Sequence, residues 1–118
     1  MTAVTRTGAP VVIEGDGLEV RVQELGGGMS VAFIKLPQGT DMAPALKGLP
    51  DDLCQCPHWG QVVSGRLRVR TKEGEDFYEA GQAYYWSPGH SPEALEDTEL
   101  VEFSPAKEFQ EVMDHIKQ

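Results

Sequence analysis

The 118 residues read as an all-β sandwich or barrel with one short C-terminal helix, and three observations carry that reading. Short apolar runs recur along nearly the whole chain, separated by glycine, proline and acidic turn signals, as in folds built from many short strands. Only the C-terminal end places apolar side chains at helical spacing. The length suits one domain with a real hydrophobic core and is too short for two. The expectation is therefore a single domain over residues 1–118, with its core at about 30–105 and its helix at about 105–117.

Taken in order, strands are expected near Pro10–Glu14, Leu18–Glu24, Ser30–Leu36, Cys56–Val63, Arg66–Thr71, Asp76–Glu79, Ala83–Trp86 and Glu99–Phe103. Gly15-Asp16-Gly17, Gly26-Gly27-Gly28, Pro37-Gln38-Gly39, Glu73-Gly74-Glu75, Gly81 and Pro88-Gly89 suit tight turns between them. Ser64-Gly65 looks like the bend of a hairpin. The stretch Asp41–Asp52, with Pro44, Gly48 and Pro50 around Ala45, Leu46 and Leu49, breaks the rhythm and predicts a loop with a helical turn. At the end, Ser104 is placed to cap a helix and Pro105 suits its first turn. Phe109, Val112, Met113 and Ile116 then form a stripe expected to pack on the outside of the β core.

Composition narrows the class of function. The chain is 40% hydrophobic and 25% charged, and no apolar run approaches the roughly 20 residues of a membrane helix. Met1–Pro10 has one arginine and no apolar core of a secretory signal, so cytoplasmic residence is the expectation. A formal charge of −9 repels phosphate backbones and anionic membranes, which disfavours nucleic-acid and membrane partners. Arg66, Arg68, Arg70 and Lys72 occupy every second position and line one strand face, which reads as a solvated face or a dimer surface.

Chemistry concentrates in Cys54-Gln55-Cys56-Pro57-His58 and, further on, His90. On one extended strand, side chains 54, 56 and 58 share a face. Two thiols and two imidazoles suit zinc, iron or copper, so Cys54, Cys56, His58 and His90 read as a divalent transition-metal site. His58 and His90 lead as ligands, then Cys56, then Cys54. A disulfide between cysteines so close would close a strained ring, and reduced thiols fit better. The alternative is that the cysteines are small buried hydrophobes and the histidines hydrogen-bond in a polar pocket. If all four bind, the site is closed and structural; if one thiol stays out, a position opens to water or substrate. Asp52 reads as a loop carboxylate. Glu102 reads as outward and solvated, with an inward general base or ligand as the other option. Trp59 and Tyr84-Tyr85-Trp86 offer aromatic surface for core, dimer or pocket, and His115 reads as a surface residue.

Strands at this spacing, a histidine-bearing strand before Ser64-Gly65 and a Gly81–Gly89 segment resemble a small single-domain cupin. Its usual first motif is His-x-His, then Glu, then Gly; its second is Gly, then Pro-x-Gly, then His. Aligned on Gly65, His58 stands at the glutamate, Cys54 at the second histidine and Asp52 at the first. Aligned on Gly81 and Gly89, Ser87 stands at the proline and Pro92 at the histidine. None of the usual ligands is kept by identity, yet Cys56 and His90 each lie two residues from a ligand position, which preserves the strand face. Cys54-Gln-Cys-Pro-His58-Trp-Gly60, Ala83-Tyr-Tyr-Trp86 and Pro88-Gly-His90-Ser-Pro92 further resemble a group of small bacterial cupins of no assigned activity.

The resemblance implies a double-stranded β-helix, or jelly-roll barrel, with a short C-terminal helix. That framework carries isomerases, dioxygenases, lyases, storage proteins and sensors, so it leaves the reaction open. The expected function is a metal-binding cupin with mixed Cys/His ligands acting on or holding a small molecule. Zinc comes first, with iron, manganese, nickel and copper open. The alternative is a non-catalytic module that binds or senses a small ligand in a polar barrel pocket. Exposed sheet edges need cover, so a homodimer is expected.

Overall fold

The computed structural model describes all residues, Met1–Gln118. Its strands are β1 (Val11–Gly15), β2 (Leu18–Gly26), β3 (Met29–Leu36), β4 (His58–Ser64), β5 (Arg66–Thr71), β6 (Gly74–Glu79), β7 (Ala83–Trp86), β8 (Ser91–Ala94) and β9 (Thr98–Pro105). The helices are α1 (Ala43–Leu46) and α2 (Ala106–Ile116). A six-stranded sheet, β1-β2-β3-β9-β4-β7, faces a three-stranded sheet, β6-β5-β8. Every pairing is antiparallel, which gives the expected all-β barrel with a C-terminal helix.

Strand β9 organises the interior because it pairs with both β3 and β4. Its alternation is strict: Thr98, Leu100, Glu102 and Ser104 are buried, while Glu99, Val101 and Phe103 face out. The register sets Glu102 opposite Ala32 on one side and Gly60 on the other, and Gly60 opposite Tyr84. Glycine is required there by close approach. A Cβ on Gly60 would lie 2.7 Å from the Tyr84 hydroxyl and 2.5 Å from the Val101 carbonyl. Its absence lets the tyrosine reach across β4 to β9.

Two apolar clusters fill the barrel. Leu36, Val62, Leu67, Val69, Tyr84, Trp86, Ala94 and Leu100 form one, between the sheets. Val20, Ala32, Leu46, Cys54, Cys56, Phe109, Val112 and Met113 form the other, under α2. The stripe read from sequence is therefore real, but it packs inward across an end of the barrel rather than on its outside. Five apolar residues on or near that helix and loop have no other way to leave water.

Other expectations are corrected as well. Ser64-Gly65 is a corner between sheets, not a hairpin bend, because β4 pairs with β9 and β7 while β5 pairs with β6 and β8. Gly65 turns it with φ +88°, a conformation that glycine adopts freely. Strand β8 was not expected, since Pro92 interrupts it; as an edge strand it tolerates a missing donor. Ser104 does not cap α2, whose N-cap is Pro105; its hydroxyl turns inward. The Asp41–Asp52 segment does hold short helical turns, α1 and a 3-10 turn at Pro50–Asp52. On the small sheet, Arg68 and Arg70 both donate to Glu93 at 2.6 Å, so the basic row is an ion-paired face.

Candidate metal centre

Three of the four sequence-predicted ligands converge. Cys54, His58 and His90 are all buried, and one ligand atom from each lies within 4.8 Å of the others. The backbone brings the distant segments into register. Cys54 donates its amide to the His90 carbonyl at 2.9 Å, and His90 returns a bond to the Cys54 carbonyl at 3.2 Å. His58 opens β4 beside this bridge, with its ring centroid 4.9 Å from that of His90. Cys54 Sγ lies 3.7 Å from His58 Nε2. A tetrahedral zinc ion bound to one sulfur and one imidazole nitrogen holds those atoms about 3.6 Å apart, so the donors already sit near bonding geometry.

Surrounding groups aim the imidazoles. His90 Nδ1 donates to the Ser87 carbonyl at 2.7 Å, which leaves Nε2 with its lone pair free. His58 Nδ1 lies 2.6 Å from Ser104 Oγ and 3.7 Å from Glu102 Oε2. A carboxyl beside Nδ1 favours the proton there, which again frees Nε2 on the side of Cys54. The Ser104 hydroxyl is also hydrogen-bonded to the Cys56 thiol. Cys56 itself points away from the ligand group, donating weakly to the Pro57 carbonyl at 3.5 Å. Of the two thiols it is thus Cys54, not Cys56, that joins the histidines. Only His58 onward is strand; Pro57 and the Cys54–His90 bridge bend the preceding residues.

Burial controls the protonation states. Both imidazoles are pushed down to about 4 by burial, so they are neutral and metal-competent at neutral pH. Burial raises the Cys54 and Cys56 thiols to about 12, with nearby charges adding to the effect. A thiol this hard to ionise becomes a thiolate only beside a cation. Burial lifts Glu102 to about 7 despite the hydrogen bond that Tyr84 donates to its Oε1 at 2.7 Å. Tyr84 is held protonated far above its usual range by burial and by that carboxylate.

A cavity of about 70 Å³ adjoins the cluster. Its walls include Cys54, His58, His90 and Glu102, apolar barrel residues such as Ile34, Leu36 and Leu100, and Phe109, Val112, Met113 and Ile116 from α2. Phe109 stands edge-on to His58 with centroids 5.7 Å apart.

The remaining candidates fall as follows. Asp52 is an exposed loop carboxylate that accepts the Gly48 amide at 2.9 Å, as expected. Glu102 points inward, contrary to expectation, because the parity of β9 that buries Leu100 also buries it. Trp86 lines the cavity, whereas Trp59 and Tyr85 pack together on the outer face with centroids 5.1 Å apart. His115 is a clamp rather than a free surface residue: its Nε2 donates to the Lys47 carbonyl at 2.8 Å. Ser104, Ser87 and Tyr84 support the site without having been assigned to it. Strand parity from Leu100 would have found Ser104; nothing in the sequence marks the Ser87 carbonyl.

No protein-family model matches the chain, and no curated protein matches it in sequence. Solved structures do match its fold. An RmlC-like cupin from Shewanella frigidimarina superposes with TM-score 0.63 at 16% identity, covering 91% of this chain and 93% of that one. The fold is that of the cupins. KdgF from Halomonas sp. shares this cupin fold with TM-score 0.62 and 19% identity over 86% of this chain and 92% of its own. An S161A mutant of Bacillus subtilis oxalate decarboxylase OxdC gives TM-score 0.67 and 18% identity, covering 89% of this chain. This cupin-fold chain spans only 29% of the oxalate decarboxylase chain.

Proposed function

We propose that the protein is a metal-binding cupin whose divalent ion, zinc in the first instance, is held by Cys54, His58 and His90. The convergence of these three buried donor atoms within 4.8 Å of one another carries the reading. A dication, the Cys54 thiolate and the Glu102 carboxylate sum to zero, which suits an interior where unbalanced charge is costly. Three protein donors are the number found in catalytic zinc sites, which keep a position for water or substrate. A metal bound there supplies Lewis acidity, lowering the pKa of a bound water toward neutrality or polarising a carbonyl or hydroxyl. The chain's own residues supply the rest. The Ser87 carbonyl and Ser104 hydroxyl orient the imidazoles. Glu102, steadied by Tyr84 and lining the cavity, takes or returns a proton. Neighbours named for acting on oxalate support small-molecule chemistry on this fold.

One observation favours a second reading, in which the module holds a ligand without turning it over. Cys54, His58 and His90 are only 5%, 4% and 2% exposed, with α2 packed against the cavity. Elemental analysis of the protein as purified decides the metal, with parallel measurement on Cys54→Ser, Cys56→Ala and His58→Ala. One equivalent in the parent, lost in Cys54→Ser and His58→Ala and kept in Cys56→Ala, is the expected result. Metal-free parent protein that stays fully stable and still binds ligand would favour the second reading.

A homodimer belongs to the same proposal. Register places Phe103, Trp59 and Tyr85 side by side across β9, β4 and β7, exposed by 38%, 45% and 54%. Such a row on one sheet face is apolar enough to be covered. Light scattering on Trp59→Lys should report a monomer where the parent reports a dimer. A cytoplasmic location is part of the proposal too; no helix here is long and apolar enough to cross a membrane.

A further inference from the structure

We infer that the cavity selects a small uncharged molecule of about four non-hydrogen atoms, carrying one polar head toward the Cys54–His58–His90 group and an aliphatic remainder. The inference rests on the metal-centre reading above and adds the class of molecule it serves.

Size comes first. The cavity of about 70 Å³ is roughly half the engineered cavity of about 150 Å³ that accepts benzene. Polarity comes second. Of 18 lining residues, 14 are hydrophobic, and none is arginine or lysine. A carboxylate or phosphate is usually met by a guanidinium, an ammonium or a row of backbone amides, and no such side chain lines this space. The one acid present, Glu102, offers an anion no attraction. Placement comes third. The polar lining is gathered in one cluster, with Glu102 Oε2 3.7 Å from His58 Nδ1 and Cys54 Sγ 3.7 Å from His58 Nε2. One polar head can be met there; a second would be left against Ile34, Leu36, Leu100 or Val112, where an unpaired polar group is costly. Alcohols, aldehydes and simple amides fit these terms, whereas dicarboxylates and sugar acids do not. Helix α2 sets the length limit, since Phe109 closes the space beside His58.

Acetamide and acetate make a matched pair, equal in size and shape and different in charge. Each is titrated into zinc-loaded protein by calorimetry and into cobalt-substituted protein, where the visible spectrum reads the coordination sphere directly. Acetamide should shift the spectrum and acetate should bind about 100-fold more weakly, the ratio expected when an anion enters an apolar site without a partner. Butyramide should be rejected by the parent and admitted by Phe109→Ala, or by Phe109→Leu if the larger truncation unfolds the helix. Acetate binding as tightly as acetamide, or acetamide leaving the cobalt spectrum unchanged, overturns the inference while the metal reading stands. Protein that takes up neither zinc nor cobalt overturns both.

Discussion

Lowering the pH of the metal-free protein should destabilise it by a margin that Glu102 conceals in part. His58 and His90 fall from an ordinary 6.5 to about 4 on folding. Depressed imidazoles bind fewer protons folded than unfolded, so their contribution is complete above pH 6.5 and is lost as pH falls toward 4. Glu102 rises from 4.5 to about 7, so its contribution has the opposite sign: present below 4.5 and lost as pH rises through 7. At about 1.4 kcal/mol per pH unit, each histidine loses about 2.4 kcal/mol between pH 7 and 4.5 while Glu102 regains about 2.6 kcal/mol. The net loss from the site is about 2 kcal/mol. In Glu102→Gln, which keeps an acceptor for the Tyr84 hydroxyl, the opposing part vanishes and the loss grows to about 5 kcal/mol. Urea unfolding across this range, followed by circular dichroism, measures both profiles against a common background of surface carboxylates. Parallel profiles for parent and variant would refute the buried, proton-holding Glu102 and with it the charge balance of the site.

Further outcomes follow from the same geometry. Zinc binding at pH 7 should release about one proton from the Cys54 thiol, seen as a dependence of the binding heat on the ionisation enthalpy of the buffer. The release should persist in Cys56→Ala and vanish in Cys54→Ser. Gly60→Ala should cost about 1–3 kcal/mol by overpacking, because the new methyl occupies the path of Tyr84 to Glu102. Denaturant midpoints measure the loss, and Tyr84→Phe in the same background should cost less than it does in the parent.

Much of this protein was legible as a pattern of local chemistry. Glycine and proline punctuation located the strands, helical spacing located α2 and its apolar stripe, and the Cys54–His58 stretch with His90 named the donor atoms. Those signals are readable because turns, periodicity and ligand type are properties of neighbouring residues. The errors lie where partners come from afar. Ser64-Gly65 looks like any tight bend, and only the pairing of β4 with β9 makes it a corner between sheets. Pro92 argues against a strand until β8 is seen to be an edge.

At the site the division is the same. Residue types alone determined that sulfur and nitrogen donors were available and that the interior had to be reached through strands. Tertiary structure decided which of them meet: the backbone bridge between Cys54 and His90 selects one thiol over the other, and Ser104 is spent on His58 rather than on a helix end. It also decided that Glu102 is buried, since the parity of β9 is anchored by Leu100 and Ser104 packing against neighbouring strands. A strand's alternation is written in the sequence, but which of its two faces loses water depends on the sheet and helix laid against it.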